Sequence, residues 1–243
     1  MKITVLTLFK EMYDGFLNTS IIKRIIDKGI VDIKIVDIRD YSFDKHKHVD
    51  DTPYGGGAGM LMKVDVVGTA IKANCNSNSH VLLTSPKAKP ITQNDLQRLS
   101  KMDDIVIVCG HYEGIDYRIE SRCDEKVSIG DYILTGGELP SMVLIDGILR
   151  LLDDSISPES LKEESYTDGL LEYPQYTRPY DYFGDKVPDV LINGNHKEIR
   201  RYNLKMALRE TIIYRSDLLE KRNFTEEELE LIKELKQEIN LKK

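Results

Sequence analysis

The sequence contains no apolar stretch approaching the ~18 residues that a membrane-crossing helix requires, so no segment reads as membrane-spanning. It has only three cysteines, Cys75, Cys109 and Cys123, with no CxxC pair and no even set from which to build a disulfide framework. They read as reduced thiols of a cytoplasmic protein. A cleavable leader is missing too: the apolar run Met1–Phe9 is short, Lys10 and Glu11 follow it, and no small-residue cleavage site appears, so it reads as a first buried strand. Neither an internal repeat nor a low-complexity tract is found. An excess of positive charge is also lacking. Lys and Arg number 34 against 41 Asp and Glu, a net charge of −7, which argues against coating nucleic acid through bulk charge but leaves room for a local basic face. What is present is a globular balance, 41% hydrophobic and 31% charged over 243 residues, enough for one large domain or two small ones.

The first 150 residues alternate between strand-like and helix-like segments. Ile3–Leu8 is apolar and β-branched, Ser20–Lys28 has helical spacing and stops at Gly29, and Val31–Ile38 alternates as a half-buried strand does. Val64–Ala73 reads as a helix and Val81–Thr84 as a strand. Thr92–Asp95 is a capping box opening a helix through Leu99. Ile105–Cys109 is a fully apolar strand, Val127–Ile129 a further short one, and Pro140–Leu152 an apolar helix. The pattern predicts an α/β fold with a mostly parallel sheet over residues 1–152. Residues 153–172 carry seven acids and one lysine and read as a linker. From 173 to 243 the amphipathic segments His196–Tyr214 and Thr225–Ile239, the second opened by the capping box Thr225–Glu228, predict a small helical domain.

Tyr54-Gly55-Gly56-Gly57-Ala58-Gly59-Met60 invites a phosphate-loop reading and fails it. No Lys-Ser/Thr closes the loop, Met60 stands where a third dinucleotide glycine would fall, and polar residues rather than a buried strand precede it. The loop permits close backbone approach to a large ligand or is simply a surface loop. His46 and His48 with Asp50 and Asp51 have a spacing too loose to specify a metal. Three other segments, the last two glycine-bearing, follow predicted strands directly: Ser85–Ala88, Cys109–Asp116 and Ser128–Pro140. In a parallel sheet they would lie together at the carboxyl edge, where α/β folds bind ligands.

Pro53–Met60, Cys109–Asp116, Ile129–Pro140, Gly169–Pro179 and Gly194–Arg201 run in one order across nearly the whole chain. In that order the sequence resembles the bacterial tRNA (guanine-N1)-methyltransferases, the TrmD family, of the knotted SPOUT class. The resemblance implies an N-terminal domain with a deep trefoil knot, which chain-topology rules would not predict. It implies S-adenosylmethionine as cofactor, held by Leu83, Thr84, Ser85 and Pro86, by Gly110, Tyr112, Glu113 and Gly114, by Ile129, Gly130, Asp131, Tyr132, Ile133 and Leu134, and by Gly136, Gly137 and Pro140. Backbone groups and glycines suit a cofactor that carries no phosphate. The partners implied are the anticodon stem-loop of tRNA, not DNA, and a second copy of the chain in a homodimer with a shared active site. The tRNA would meet Asp50, Tyr54, Gly55, Gly59 and Ser165. The reaction implied requires Mg2+, for which the sequence assigns no ligand.

Guanine N1 carries a proton at neutral pH, so methylation there needs a base, with a donor for the charge that develops on O6. The family's base is usually an aspartate in the linker, and Glu164 stands at that position here; Asp168 is the second candidate. Arg150 aligns with the family's catalytic arginine, and its planar fork suits a developing oxyanion. Other departures are Lys87-Ala88 where Gln-Gly is frequent, Ala58 for proline and Thr52 for arginine. Residues 196–222 hold eight Lys or Arg against four Asp or Glu, and Lys197, Arg200, Arg201 and Lys205 cluster as a phosphate-binding face. The reading is therefore methylation of guanine N1 on the 3′ side of the anticodon. The alternative is a catalytically silent tRNA- or nucleotide-binding protein with the same fold.

Overall fold

The computed structural model describes residues 1–153, 155, 165–166 and 169–240. The chain divides into two compact units, Met1–Ile156 and Ser157–Lys243.

The first unit is built on a five-stranded sheet of β1 (Lys2–Thr7), β2 (Asp32–Asp37), β5 (His80–Thr84), β6 (Asp104–Val108) and β7 (Glu125–Val127), ordered β2-β1-β6-β5-β7, with every pairing parallel. The predicted α/β class with a mostly parallel sheet is thus present. Strand β6 is buried along its whole length, as expected of a central parallel strand covered on both faces. Its alternation sorts the two cores. Ile105, Ile107 and Cys109 pack on one face with Ile3, Val5, Leu82 and the inner side of α5 (Glu138–Leu149), whereas Val106 and Val108 pack on the other with Leu6, Leu83 and α3 (Val64–Asn74). Helices α1 (Asp14–Leu17), α2 (Ser20–Asp27) and α4 (Gln93–Leu99) complete the first layer. Strand β2 at the edge keeps the half-exposed alternation legible in its sequence. A two-stranded antiparallel ribbon, β3 (Asp50–Asp51) with β4 (Leu61–Met62), brackets the glycine loop.

Two boundaries differ from expectation. Strand β7 ends at Val127, paired with Thr84 at the end of β5; Ser128 pairs instead with Pro90, its carbonyl accepting from the Ile91 N–H (3.0 Å). Helix α5 starts two residues before Pro140. Glu138 occupies its first turn and is buried, with its Oε1 accepting a 2.8 Å hydrogen bond from Thr7 Oγ1 at the end of β1. At the other end Arg150 is the helix cap, so the helix stops short of Leu152.

The second unit, within its described residues, has a small hairpin, β8 (Asp181–Tyr182) with β9 (Asp185–Lys186), and two helices, α6 (His196–Tyr214) and α7 (Glu226–Asn240). Its core joins Ala207 and Leu208 of α6 to Leu231 and Leu235 of α7, with Leu170 from the segment read as linker and Tyr173 just after it packed against them. Asn195 caps α6, and Thr225 and Glu228 form the expected capping box of α7: the Thr225 N–H donates to Glu228 Oε2 (2.8 Å) and the Glu228 N–H to Thr225 Oγ1 (3.2 Å).

Candidate active site

Strands β6, β5 and β7 are neighbours, and the three loops expected to form a pocket leave their carboxyl ends on one sheet edge. Their main chains are bonded together. The Gly137 N–H donates to the Gly110 carbonyl (2.8 Å) and the Ser85 N–H to the Val127 carbonyl (2.9 Å). Thr84 Oγ1 donates to the Val108 carbonyl (3.1 Å) and accepts from the Gly110 N–H (3.3 Å). A β-carbon on Gly137 would fall 2.8 Å from both Cys109 Cα and Gly110 N, so only glycine permits this approach. Ser128 Oγ holds the next turn through Gly130, accepting from its N–H (3.2 Å) and donating to its carbonyl (3.0 Å). Tyr132, Ile133 and Leu134, all expected at the cofactor, stand exposed as an apolar wall beside these polar main-chain groups.

The glycine loop joins the same neighbourhood. The Met62 N–H donates to the Gly114 carbonyl (3.0 Å), the Glu113 N–H to the Met60 carbonyl (3.0 Å), and the Asp116 N–H to the Met62 carbonyl (3.1 Å). Gly59 lies so close to the Glu113 side chain that a β-carbon would sit 2.9 Å from its Oε1. Tyr112 is pushed up by burial first and then by the nearby Asp50 carboxylate. Asp50, Gly59, Tyr112 and Glu113, predicted from separate stretches, are therefore brought together. Tyr54 and Gly55 lie on the exposed part of the loop.

Other predicted residues are placed as follows. Arg150 caps α5, its N–H donating to the Asp146 carbonyl (3.1 Å). Ser165 Oγ accepts from the Glu172 N–H (2.9 Å). Glu164 and Asp168 lie outside the described residues. Lys197 is exposed at the first turn of α6, whereas Arg201 and Lys205 are ion-paired to Glu234 at 2.7 and 2.8 Å, and Arg200 to Glu227 at 3.5 Å. His48 turns its ring to Asp44, whose carboxyl is held below its usual range first by the His46 N–H. Among the described residues no three His, Cys, Asp or Glu side chains converge on a metal position.

Three features escaped the sequence reading. Beneath the loops, Thr7, Glu138, Ser141, Tyr13 and Cys109 form a buried polar chain: Ser141 Oγ donates to the Glu138 carbonyl (2.7 Å) and lies 2.6 Å from the Tyr13 hydroxyl. Burial drives Tyr13 up strongly and Cys109 up to about 12, so both are neutral structural groups rather than nucleophiles. Second, the His111 ring meets Phe9 and Tyr112 edge-on at 4.8 and 5.0 Å, with its buried Nδ1 unpartnered among the described residues. Third, Arg39 lies over Phe9 at 5.6 Å. The one local signal was a glutamate at the head of an otherwise apolar stretch, Glu138.

The donor set suits a nucleoside without phosphate. It offers main-chain N–H and C=O groups, exposed apolar side chains and an orphaned ring nitrogen. The family model described as tRNA (Guanine-1)-methyltransferase TrmD matches residues 1–221. Among similar curated proteins, the tRNA (guanine-N(1)-)-methyltransferase of Syntrophomonas wolfei is 51% identical over 236 residues, covering 97% of each chain. That of Dictyoglomus turgidum is 47% identical over 240 residues, covering 98% of each. That of Macrococcus caseolyticus is 49% identical over 240 residues, 98% of this chain and 100% of its own.

Proposed function

The chain belongs to the TrmD family of tRNA (guanine-1)-methyltransferases, and from that membership we propose how its residues carry the reaction. It is an enzyme of this kind, transferring a methyl group to N1 of a guanine in tRNA. In our reading the methyl donor is S-adenosylmethionine, which supplies a methyl group already activated on a sulfonium. The observation that carries this is the Gly137-to-Gly110 main-chain bond at 2.8 Å, which draws three strand-end loops into a cradle of backbone donors and acceptors. Leu83 to Pro86, Gly110, Tyr112 to Gly114, Ile129 to Leu134, and Gly136, Gly137 and Pro140 hold the nucleoside. Tyr132, Ile133 and Leu134 exclude water from one side.

The acceptor needs a proton removed from N1. Glu164 takes it on its carboxylate, with Asp168 as the second candidate; Arg150 places its guanidinium at the developing charge on O6. A base inside a stacked loop must be turned outward first. Asp50, Tyr54, Gly55, Gly59 and Ser165 receive it and its neighbours, and cations of α6 grip the backbone. The target is the guanine on the 3′ side of the anticodon. The first unit is a trefoil knot, the second a tRNA-binding domain, and the working form a cytoplasmic homodimer with a shared active site. Magnesium dependence belongs to the same proposal. The described residues assemble no site for it, so no step above passes through the ion.

Incubation with methyl-labelled S-adenosylmethionine and an unmodified tRNA transcript tests this reading. Label should appear as N1-methylguanosine, disappear when that guanine is replaced by adenosine, and fall with EDTA. Binding of cofactor and tRNA without transfer would contradict it.

A further inference from the structure

The four cations expected to face phosphate are not equivalent in the folded protein. Helix α7 carries Glu227, Glu230, Glu234 and Glu238 at spacings of three, four and four, a single helical stripe. That stripe lies along α6 in parallel register. Arg200 Nη2 is 3.5 Å from Glu227, Arg201 Nη2 is 3.8 and 2.7 Å from Glu230 and Glu234, and Lys205 Nζ is 2.8 Å from both Glu234 and Glu238. Stepping that register back three residues, from Arg200 to Lys197 and from Glu227 to Phe224, leaves α7 and reaches Asn223-Phe224-Thr225, which holds no acid. Lys197 is exposed, with no ion pair among the described residues.

Exposure follows the same gradient. The Lys205 side chain is only 18% exposed and Arg201 43%, while Arg200 remains 74% exposed over its longer contact. The Glu198 carboxylate, which could have neutralised the first turn, is turned back to Asn193, whose Nδ2 donates to it at 2.9 Å. A phosphate approaching Lys205 would have to displace two carboxylates at hydrogen-bond distance and pass the others. Among the described residues, Lys197 and Arg200, neighbours at i and i+3, have a single ion pair, Arg200 with Glu227 at 3.5 Å.

We propose that Lys197 and Arg200 contact the tRNA backbone, that Arg201 and Lys205 serve instead as ties between α6 and α7, and that the carboxylate stripe of α7 is a repulsive fence confining the RNA backbone to the N-terminal end of α6. This rests on the tRNA reading above and deepens it. The fence supplies orientation: a polyanion is attracted at one end of the helix pair and turned away along the rest.

The test is the salt dependence of binding of an unmodified tRNA transcript to the full chain, with Tm measured alongside. Each lost phosphate contact makes the slope of log K against log salt shallower by about 0.7–0.9. The double variant Lys197→Met/Arg200→Met should flatten the slope by roughly 1.5 and weaken binding about tenfold or more at 0.1 M salt, with Tm unchanged. Arg201→Met/Lys205→Met keeps the aliphatic stems packed; its slope and affinity should match the parent within about twofold, while Tm falls by a few degrees. Removing the fence without touching a cation, by Glu230→Gln/Glu238→Gln, should tighten binding severalfold. Equal losses from both cation pairs, or a flattened slope only in Arg201→Met/Lys205→Met, would overturn the assignment. A parent protein without salt-dependent tRNA binding would instead contradict the tRNA reading itself, and the two failures are told apart by that control.

Discussion

At Gly137 the conformation of one residue decides whether three loops can meet. Its missing side chain lets the main chain contact Cys109 and Gly110 at distances no β-carbon tolerates, and the neighbours are backbone atoms that cannot swing away. Gly137→Ala should therefore lower stability by about 1–3 kcal/mol and raise the Kd for S-adenosylmethionine more than it lowers transfer at saturating cofactor, as calorimetry and single-turnover kinetics would show. Cys109 stands in the same cluster, and burial, the leading cause, holds its thiol at about 12. It should resist alkylation at pH 8 in the native protein and react only on unfolding, which a thiol-counting titration with and without denaturant would reveal. The glycines were visible in the sequence. What Gly137 touches was not, because Thr84 and Cys109 come to it through strand order rather than chain proximity.

At the scale of elements, α6 and α7 are joined by apolar packing and by charge. Glu234 is held below the usual glutamate range first by the hydrogen bond from Lys205 and then by that from Arg201. Its folded form favours the ionised state, so its contribution is complete above the ordinary Glu value near 4.3 and is lost as pH falls through the lower folded value. Thermal unfolding below about pH 4 should lose stability faster in the parent than in Glu234→Gln, with a smaller difference in high salt. In the first unit α5 lies against the sheet with Leu144 fully buried; Leu144→Ala should cost about 2–5 kcal/mol in denaturant unfolding. Elements whose signals are local were legible. The run Ile105–Cys109 is β6 with its following residue, and the capping boxes at Thr92 and Thr225 open their helices. Elements set by distant partners were not. Glu138, at the start of α5, is buried with its carboxylate accepting from Thr7, 131 residues away, and the basic face of α6 is neutralised by acids about thirty residues later. A helical pattern records which side chains share a face but not what covers that face.

Over the whole molecule, the net charge of −7 has two sources with different consequences. The acids at 153–172 flank Glu164, the residue proposed as base, along the sequence, and the acids of α7 are spent largely on α6. In the proposed arrangement the α7 acids repel RNA along most of the helix pair and leave the N-terminal end of α6 open to it. The central claim is that Glu164 removes the N1 proton, and single-turnover transfer from labelled S-adenosylmethionine to unmodified tRNA tests it most directly in Glu164→Gln and Asp168→Asn beside the parent. The account predicts a fall of about 10²–10⁴ in the transfer rate for Glu164→Gln, with cofactor affinity nearly unchanged and Asp168→Asn close to the parent. A Glu164→Gln enzyme that transfers methyl at the parent rate, or a comparable loss found only in Asp168→Asn, would contradict it.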